Sequence, residues 1–569
     1  MPASHSFEMR IGLKQRNLHR GYEWLMDVAD PSSANYGRHW TQDEITGVFS
    51  PSATTVNVTK DWVVSSGIGA ARIAHSASGG WLVFNATVDE AEKLLDASFW
   101  LYENDGGQVM AGCDEPRRLC VSGRGHGREQ DNPEVQEKPQ ERCEIAAGGG
   151  GKEAPGDAQL LRGRDSPVHR RSVRDPTGRQ GTPKQLLGLY ERECWYQDQD
   201  LDLFFANYAP GILEGTCPLN LSIDLAVWHY SESDTSISIP TEADLDTEVA
   251  YPIIYPQTVT VYQVDDEYYY LYQVQYAGLF NTFLDAIDSS YCNYSAYGET
   301  GDDPMYDAVY PDTHTVVTPG NPDPFDPGTY KGERMCGVIS MSWARRRRIS
   351  TSTTRCVNVT SRSLFMCSWH TKEMSAGPEN RFMKLGLQGV TVVASSGDSG
   401  PSANSQCGAS NLGTFWASSP GNCPYVTSVG ATKLETDGTE SFAMDSSWSS
   451  SGGFSRYYPT PAYQQPALAT YFADHDPGSG DSYFSTAPAV GSQTSPPRVN
   501  EERLAVGKGP VGFINPVLYA NPTIFNDITK GNNSMCGVSG FQAVGGWDPT
   551  TGLGTVQYPK LLEIFIDLS

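Results

Sequence analysis

The chain has 569 residues, of which 38% are hydrophobic and 11% aromatic, enough for a sizeable core and for two or three domains. Its 41 basic and 67 acidic side chains give a formal net charge of −26. This charge argues against nucleic acid and against an anionic membrane surface as partners. Because no long uninterrupted apolar run occurs, the sequence also predicts no membrane span.

The twelve cysteines are scattered singly without a Cys-x-x-Cys pair, which argues against a zinc cluster or a thioredoxin-type site. Their pairing stays open, since Cys292 can pair with Cys336, and Cys536 with either Cys407 or Cys423. The sequence also contains Asn-x-Ser/Thr sequons at Asn57, Asn85, Asn220, Asn293, Asn358 and Asn532. Cysteines and sequons together favour a secretory route, although the first 24 residues show no apolar segment typical of a signal peptide.

Composition divides the chain into three parts. Residues 1–112 predict a small α+β domain, because the strand-like WLVF at 81–84 precedes a helical pattern in VDEAEKLLDASF at 88–99. Residues 113–182 are rich in Arg, Gly and Pro with almost no apolar periodicity, which predicts a disordered linker. Residues 183–569 form the third part, which we expect to be globular to its end.

Short buried strands alternate with helical patterns in this third part. The helical pattern of residues 379–388 leads into the continuous apolar run at 390–394, and similar strands occur within 336–343 and 423–432. This alternation predicts an α/β domain with a doubly wound, mostly parallel sheet. Functional groups in such a sheet lie just beyond the carboxyl ends of strands, and SSGDSG at 395–400 occupies that position.

The segment PTEADLDTEV at 240–249 contains two acidic pairs with a spacing of four. Glu242 pairs in this way with Asp246, and Asp244 with Glu248, so one helical turn places each pair on one face. Acidic residues are also favoured at the start of any helix by the helix dipole. Spacing alone therefore leaves both an ordinary helix start and half of an active site open.

The sequence GDSG at 397–400 also allows a chymotrypsin-like nucleophile at Ser399. That class needs a histidine base, but none of the ten histidines is followed by Cys. Those after residue 183 lie in no recognisable catalytic setting; they are His229, His314, His370 and His475. The chymotrypsin-like interpretation is therefore the weaker one.

Five motifs, in a fixed order, resemble the sedolisin family of serine-carboxyl peptidases, and within it the secreted fungal tripeptidyl-peptidases. They are TEADLD (241–246), VVASSGDSG (392–400), SSGGFSRYYPTPAYQ (450–464), NEERLAVGKGPVGFINPVLYANP (500–522) and NDITKGNN followed by GGWDPTTGLGT (526–555). LMDVADPSSANYGRHWTQDEI (25–45) is similar to a kumamolisin-type activation prodomain. The resemblance implies a monomeric zymogen with a subtilisin-like catalytic domain, peptide or protein substrates, and a prodomain that acts as intramolecular inhibitor and chaperone.

The resemblance selects Glu242 and Asp246 from the acidic segment. It implies that Glu242 replaces the histidine base and that Asp246 orients it and shares a proton with it, as close carboxyl groups must. A carboxylate remains a competent base at acidic pH, where a histidine is protonated. The resemblance also implies that Asp398, in its protonated form, donates a hydrogen bond to the tetrahedral oxyanion.

The nucleophile is the point at which the sequence departs from the family pattern. Members of the family have Gly-Thr-Ser-Ala-Ser-x-Pro at the start of a long buried helix, whereas this chain has STAPAVGSQTSPPRVNEERL. A gap-free overlay on Gly491 places Gln493 at the nucleophile, and matching Thr-Ser selects Ser495. Because Pro496 and Pro497 follow Ser495, we expect that no buried apolar helix starts there.

The resemblance further implies one structural Ca²⁺ near the C-terminus. Asp527 and Asp548 would supply carboxylates, and Ile528, Val544 and Gly546 backbone carbonyls. Hard oxygen ligands on glycine-rich loops suit Ca²⁺ better than zinc.

The sequence thus predicts a secreted acid peptidase, made as a zymogen, that releases tripeptides from free N-termini. Two alternatives stay open: an acid endopeptidase, and a catalytically inactive calcium-binding glycoprotein of the same fold, which the altered nucleophile segment favours.

Overall fold

The computed structural model describes part of the chain, and the strands and helices below belong to that part. It covers residues 3–75, 80–103, 109–113, 187–192, 196–223, 242–264, 281–287, 299–300, 309–310, 338–341, 381–401, 417–418, 420–445, 448–455, 458–475, 495–535 and 539–569. Except for Cys113, which ends a strand, the predicted linker lies outside the described residues, and so do the cysteines 292, 336, 407 and 536.

The strands are β1 (Ser6–Gly12), β2 (Ala74–His75), β3 (Trp81–Thr87), β4 (Phe99–Glu103), β5 (Val109–Cys113), β6 (Leu187–Arg192), β7 (Leu219–Ile223), β8 (Val259–Val264), β9 (Glu299–Thr300), β10 (Val309–Tyr310), β11 (Val338–Met341), β12 (Thr391–Ser395), β13 (Thr427–Val429), β14 (Thr432–Leu434), β15 (Glu440–Phe442), β16 (Phe525–Asn526) and β17 (Thr555–Val556). The helices are α1 (Gly21–Ala29), α2 (Gln42–Phe49), α3 (Ala53–Ser65), α4 (Val88–Leu95), α5 (Asp198–Tyr208), α6 (Glu242–Ile254), α7 (Asn281–Ile287), α8 (Gln465–Asp474), α9 (Ser495–Ala505), α10 (Asn515–Ala520) and α11 (Tyr558–Asp567). Residues 381–387 are also helical.

The N-terminal domain is α+β, as its sequence pattern predicts. An antiparallel sheet of order β1-β3-β2 packs against α4, which starts at a capping box formed by Thr87 and Glu90. The box satisfies backbone N–H groups that have no partner within the helix, and it fixes where strand β3 becomes helix α4. Phe84, Ala91 and Leu94 fill the core of this domain.

A parallel sheet forms the centre of the C-terminal domain. Its strand order is β13-β12-β11-β6-β8-β7, and each neighbouring pair is parallel. Strand β6 is buried throughout and shows how the sheet is covered. Leu187 and Leu189 pack against α5 and α6, whereas Tyr190 packs against α7 and the helix at 381–387. Helices on both faces confirm the doubly wound, subtilisin-like α/β architecture.

The N-terminal domain docks on the C-terminal domain through an apolar interface. Helices α1 and α2 share one core with residues of the C-terminal domain; its members are Leu25, Val28, Ala29, Ile45, Phe49, Met383, Leu387 and Phe513. At the edge of this core the Trp40 N–H donates to the Leu387 carbonyl at 2.8 Å. The Lys384 ammonium donates to the Gln15 side chain at 2.7 Å.

The helix that we expected to be absent is present. Helix α9 begins at Ser495 and continues to Ala505, with Pro496 and Pro497 in its first turn. The expectation was wrong because proline is tolerated there: its missing N–H has no helical acceptor in any case, and its fixed φ suits a helix. The helix is buried, but Arg498 and Arg503 are fully buried within it, so it is not the apolar helix of the family pattern.

Candidate active site

A pair of carboxyl groups lies where β6 ends and α6 begins. Alternation along β6 places Glu191 on the same face as Leu189, the face that α6 covers. Glu191 is 1% exposed, and its carboxyl group is hydrogen-bonded to that of Asp246, one turn into α6. The structure therefore brings a predicted site residue, Asp246, against a second glutamate, which the sequence interpretation did not include.

This environment favours the neutral form of Glu191. Burial raises its pKa well above the usual range, and the negative charges of Asp246, Glu242 and Asp244 raise it further. Two hydrogen-bonded carboxyl groups cannot both ionise cheaply, so they hold one proton between them. Glu242, the first residue of α6, is half-buried beside this pair and belongs to the same cluster.

Asp398 lies at the same edge of the sheet. It follows the carboxyl end of β12, and one strand, β11, separates β12 from β6. With strands about 4.8 Å apart, the ends of β6 and β12 are roughly 10 Å apart. The carboxyl ends of parallel strands meet at one edge, so Asp398 and the Glu191–Asp246 pair share it.

Buried serines hold the backbone around Asp398. The Ser449 N–H donates to the Asp398 carbonyl at 3.2 Å, and the Ser451 N–H donates to the Gly397 carbonyl at 2.8 Å. The Ser399 N–H in turn donates to the Ser451 hydroxyl at 2.9 Å. The Asp398 side chain is exposed. The segment that begins at Ser449 thus supports the loop that carries Asp398.

The other acidic pair of α6 lies on a different side of the helix. Asp244 and Glu248 are 7% and 6% exposed and face α5, where the Gln197 N–H donates to Asp244 at 2.8 Å. Burial raises the pKa of Asp244 to about 7, and the charge of Asp200 adds to the increase. Burial, followed by the charges of Asp244 and Asp200, raises the pKa of Glu248 to about 8.

The structure places Ser495 at the first position of α9, and Gln493 lies outside the described residues. Helix α9 is tied to the turn after α6, since the buried Gln257 amide donates to Glu501 at 3.0 Å. The helix that begins at Ser495 is therefore anchored near the helix that carries Glu242. The assignment of Ser495 as the nucleophile stays a prediction.

The residues predicted to bind calcium come together in one loop cluster. The Gly546 N–H donates to the Asp527 carboxylate at 2.8 Å, and the Val544 N–H donates to the Asp548 carboxylate at 3.1 Å. Ile528 joins them through its carbonyl, which lies 3.4 Å from the Thr551 hydroxyl. The two carboxylates thus lie against the backbone of one loop cluster, through the N–H groups of Gly546 and Val544. Calcium takes carboxylate and carbonyl oxygens, and its binding here stays a prediction.

Burial of Asp548 also fits a cation. It is 0% exposed, its contacts are backbone N–H groups and the Thr551 hydroxyl, and burial raises its pKa to about 6. A buried carboxylate is most stable beside a positive charge. Within the described part of the chain, no group of three or more His, Cys, Asp or Glu side chains is arranged to hold a metal. A metal here would thus depend on carbonyl ligands as well as the two carboxylates.

Sequence reasoning missed Glu191 and the burial of Asp244 and Glu248. Glu191 had one readable signal: it is an acidic residue at the carboxyl end of the strand segment LGLYER, where active-site groups of α/β folds lie. The burial of Asp244 and Glu248 depends on where α5 packs, and α6 alone does not specify that.

Comparisons with known proteins extend this description. Residues 1–119 match the Pro-kumamolisin activation domain. Aorsin from Aspergillus oryzae is 37% identical over 98% of this chain and 92% of its own length. Tripeptidyl-peptidase sed1 from Aspergillus fumigatus is 33% identical over the same shares of the two chains. Pseudomonas sedolisin, a serine-carboxyl proteinase complexed with two molecules of pseudo-iodotyrostatin, covers 68% of this chain and 98% of its own, at 17% identity and a TM-score of 0.40.

The activation domain and the doubly wound peptidase domain define a peptidase made as a zymogen. The chain belongs to the sedolisin family of serine-carboxyl peptidases, because relatives that are 33% and 37% identical cover nearly all of it. This confirms the predicted family and the predicted prodomain. None of the helices in the described ranges is long and apolar enough to cross a bilayer.

The buried acids on the α5 side predict a loss of stability as pH rises. The pKa values of Asp244 and Glu248 are raised in the folded state, so their protonated forms are favoured by folding. The associated stability is present below about pH 4 and is lost as pH rises through about 7 to 8. We expect the free energy of unfolding to fall between pH 4.5 and pH 8 through this pair, since each carboxyl group loses its proton more easily in the unfolded chain.

Chemical unfolding of the full chain at the two pH values measures this effect. The double variant Asp244→Asn with Glu248→Gln removes both titrations and should flatten the loss, whereas the exposed Asp474→Asn should not. An equally steep loss in the double variant would show that other groups cause it.

Proposed function

We propose that the protein is a secreted acid serine-carboxyl peptidase, acting as a monomer, that releases tripeptides from the free N-termini of peptides. The observation that carries the proposal is the cluster of Glu191, Asp246 and Glu242 at the carboxyl end of β6, which retains a proton in a buried site. Tripeptide release is supported by the relative named tripeptidyl-peptidase sed1. Secretion is supported by the sequons, of which Asn57 and Asn85 are exposed.

The proposed reaction uses each carboxyl group in one protonation state. The Ser495 hydroxyl attacks the scissile carbonyl carbon and loses its proton to Glu242, while a protonated Asp398 donates a hydrogen bond to the new oxyanion. Glu242 then gives the proton to the leaving amine, and the carbonyl–nitrogen bond breaks. Water releases the acyl group by the same steps in reverse order. Glu191 keeps Asp246 oriented throughout, as a positioning residue.

This reaction is tested with the full chain after acid activation, on a fluorogenic tripeptide with a free N-terminus and on its N-acetylated form. We expect cleavage of the free substrate only, with activity highest below about pH 5, because both the shared proton and a neutral Asp398 are required. Glu242→Gln should reduce turnover by about 10²–10⁴, the usual effect of losing a general base.

The matched control is Glu248→Gln, in the same helix on the α5 side. Glu248 is protonated at acidic pH, so its glutamine variant should keep nearly full activity there. Cleavage of the acetylated substrate and of internal bonds would support the acid endopeptidase instead. Absence of any cleavage by a folded, activated chain would support the inactive glycoprotein.

We further propose one structural Ca²⁺ held by Asp527, Asp548 and the carbonyls of Ile528, Val544 and Gly546. A bound Ca²⁺ would supply the positive charge that the buried Asp548 lacks among its described contacts. It would join the segment after β16 to the loop at 544–548.

Calcium is therefore expected to raise the melting temperature of the full chain in proportion to the logarithm of its concentration, once binding is saturating. The measurement belongs at pH 6.5, where Asp548 is largely ionised. Asp527→Asn, at an exposed position, should abolish the increase, and Asp474→Asn should not. A parent chain whose melting temperature ignores calcium would rule the site out.

A further inference from the structure

The interface between the two domains contains a histidine in an unusual environment. In the chain, His39 is flanked by two residues that contact the C-terminal domain. Tyr36, which is 3% exposed, packs in the core of that domain, and the Trp40 N–H donates to the Leu387 carbonyl. The His39 side chain is half-buried, and its Nε2 atom is shielded from solvent without a hydrogen-bond partner among the described residues. His39 thus sits at a point where the activation domain touches the peptidase domain.

Two glycines of the peptidase domain form the walls of this site. A Cβ atom on Gly389 would lie 2.7 Å from His39 Nδ1, and one on Gly512 would lie 2.4 Å from Nε2. Both glycines have a positive φ, +85° for Gly389 and +66° for Gly512, which residues other than glycine rarely adopt. The loops at 389 and 512 therefore approach the ring on its two nitrogen-bearing sides and leave little space for the water that a charged imidazolium needs.

A fixed positive charge faces the same ring. Arg503 of α9 acts on His39 electrostatically, and its guanidinium lies 5.9 Å from the centre of the Tyr36 ring. Arg503 cannot easily move away, because it donates to the carbonyls of Gly509 at 2.8 Å, Leu568 at 3.1 Å and Ser569 at 2.8 Å. The segment that carries His39 contributes Tyr36 beside Arg503, and Ser569 places a main-chain oxygen against both Arg503 and Gly37. Protonation of His39 would therefore place two positive charges together in a half-buried site.

We propose that His39 is the acid-sensing contact of the zymogen: when neutral it fits the pocket between Gly389 and Gly512, and when protonated it weakens the docking of the activation domain. The proposal rests on the proposed function, for which release of this domain in acid is a requirement. The contact of His39 with Gly389 and Gly512 would then help to set the pH at which the activation domain is released.

The direction of the effect follows from the two states of the interface. Burial, and then the charge of Arg503, lowers the pKa of His39 from 6.5 to about 4 while the domain is docked. An undocked His39 regains its ordinary pKa, so the docked state loses stability as pH falls from about 6.5 to about 4. The opening equilibrium should increase roughly 10²-fold over that range through this one proton, since each pKa unit is a factor of ten.

Hydrogen exchange on the full, uncleaved chain tests this, with rates corrected for the intrinsic effect of pH. Peptides that contain Trp40 report opening of the interface, and peptides of β3 and α4 report whether the activation domain stays folded. In the parent chain we expect opening to increase between pH 7 and pH 4 while β3 and α4 stay protected. In His39→Gln, the ratio of opening at pH 4 to opening at pH 7 should be roughly 10²-fold smaller.

The control is His19→Gln, since His19 is exposed in the same domain; its ratio should equal that of the parent. An unchanged ratio in His39→Gln, with the domain still folded, would overturn the proposal. So would a parent interface that stays equally closed from pH 7 to pH 4. Hydrogen exchange needs no peptidase activity, so a chain that fails the tripeptide assay still gives a clear result here.

Discussion

The candidate active site depends on a hydrogen bond between two carboxyl groups, those of Glu191 and Asp246, at the carboxyl edge of the sheet. Glu191 is the penultimate residue of a strand that is buried on both faces, and Asp246 belongs to the helix that packs on one of those faces. The pair must keep a proton, since two buried negative charges at hydrogen-bond distance are costly. Glu242 lies close enough to Glu191 for its negative charge to raise the pKa of that carboxyl group.

The same physical rule recurs elsewhere in the molecule. Asp244 and Glu248 are buried acidic residues whose pKa values are raised by burial and by neighbouring negative charges. Folding therefore favours their protonated forms. His39 is buried beside Arg503, so docking of the activation domain favours its neutral form. Acidification therefore stabilises the packing of α5 on α6 and weakens the contact between the two domains. Both changes are in the direction that the proposed activation in acid requires.

The sequence predicted the parts of the fold that depend on local pattern. The strand and helix at 81–95 and the parallel strands at 338–341 and 391–395 form as their patterns indicate. Family motifs identified Glu242 and Asp246, which lie beside the Glu191 carboxyl group. The partner of Asp246 could not be predicted in this way, because it comes from a strand about 50 residues earlier that only tertiary packing brings close.

The prediction that no helix begins at Ser495 was wrong for a local reason. Two adjacent prolines are not tolerated in the interior of a helix, but they are tolerated in its first turn, where Pro496 and Pro497 lie. The buried arginines of α9 were also unexpected. Arg498 is paired with Glu501 on the same helix, and Arg503 donates to main-chain oxygens of Leu568 and Ser569, which the sequence alone does not place beside α9.

The shared proton is the central claim, and infrared spectroscopy of the full chain tests it most directly. A protonated carboxyl group absorbs as a carbonyl, separately from carboxylates, so the difference spectrum between the parent and Glu191→Gln isolates this proton. At pH 6, where ordinary carboxyl groups are ionised, we predict a protonated-carboxyl band in the parent that the variant lacks. Identical spectra in that region would show that Glu191 and Asp246 do not hold a proton, and would contradict the account.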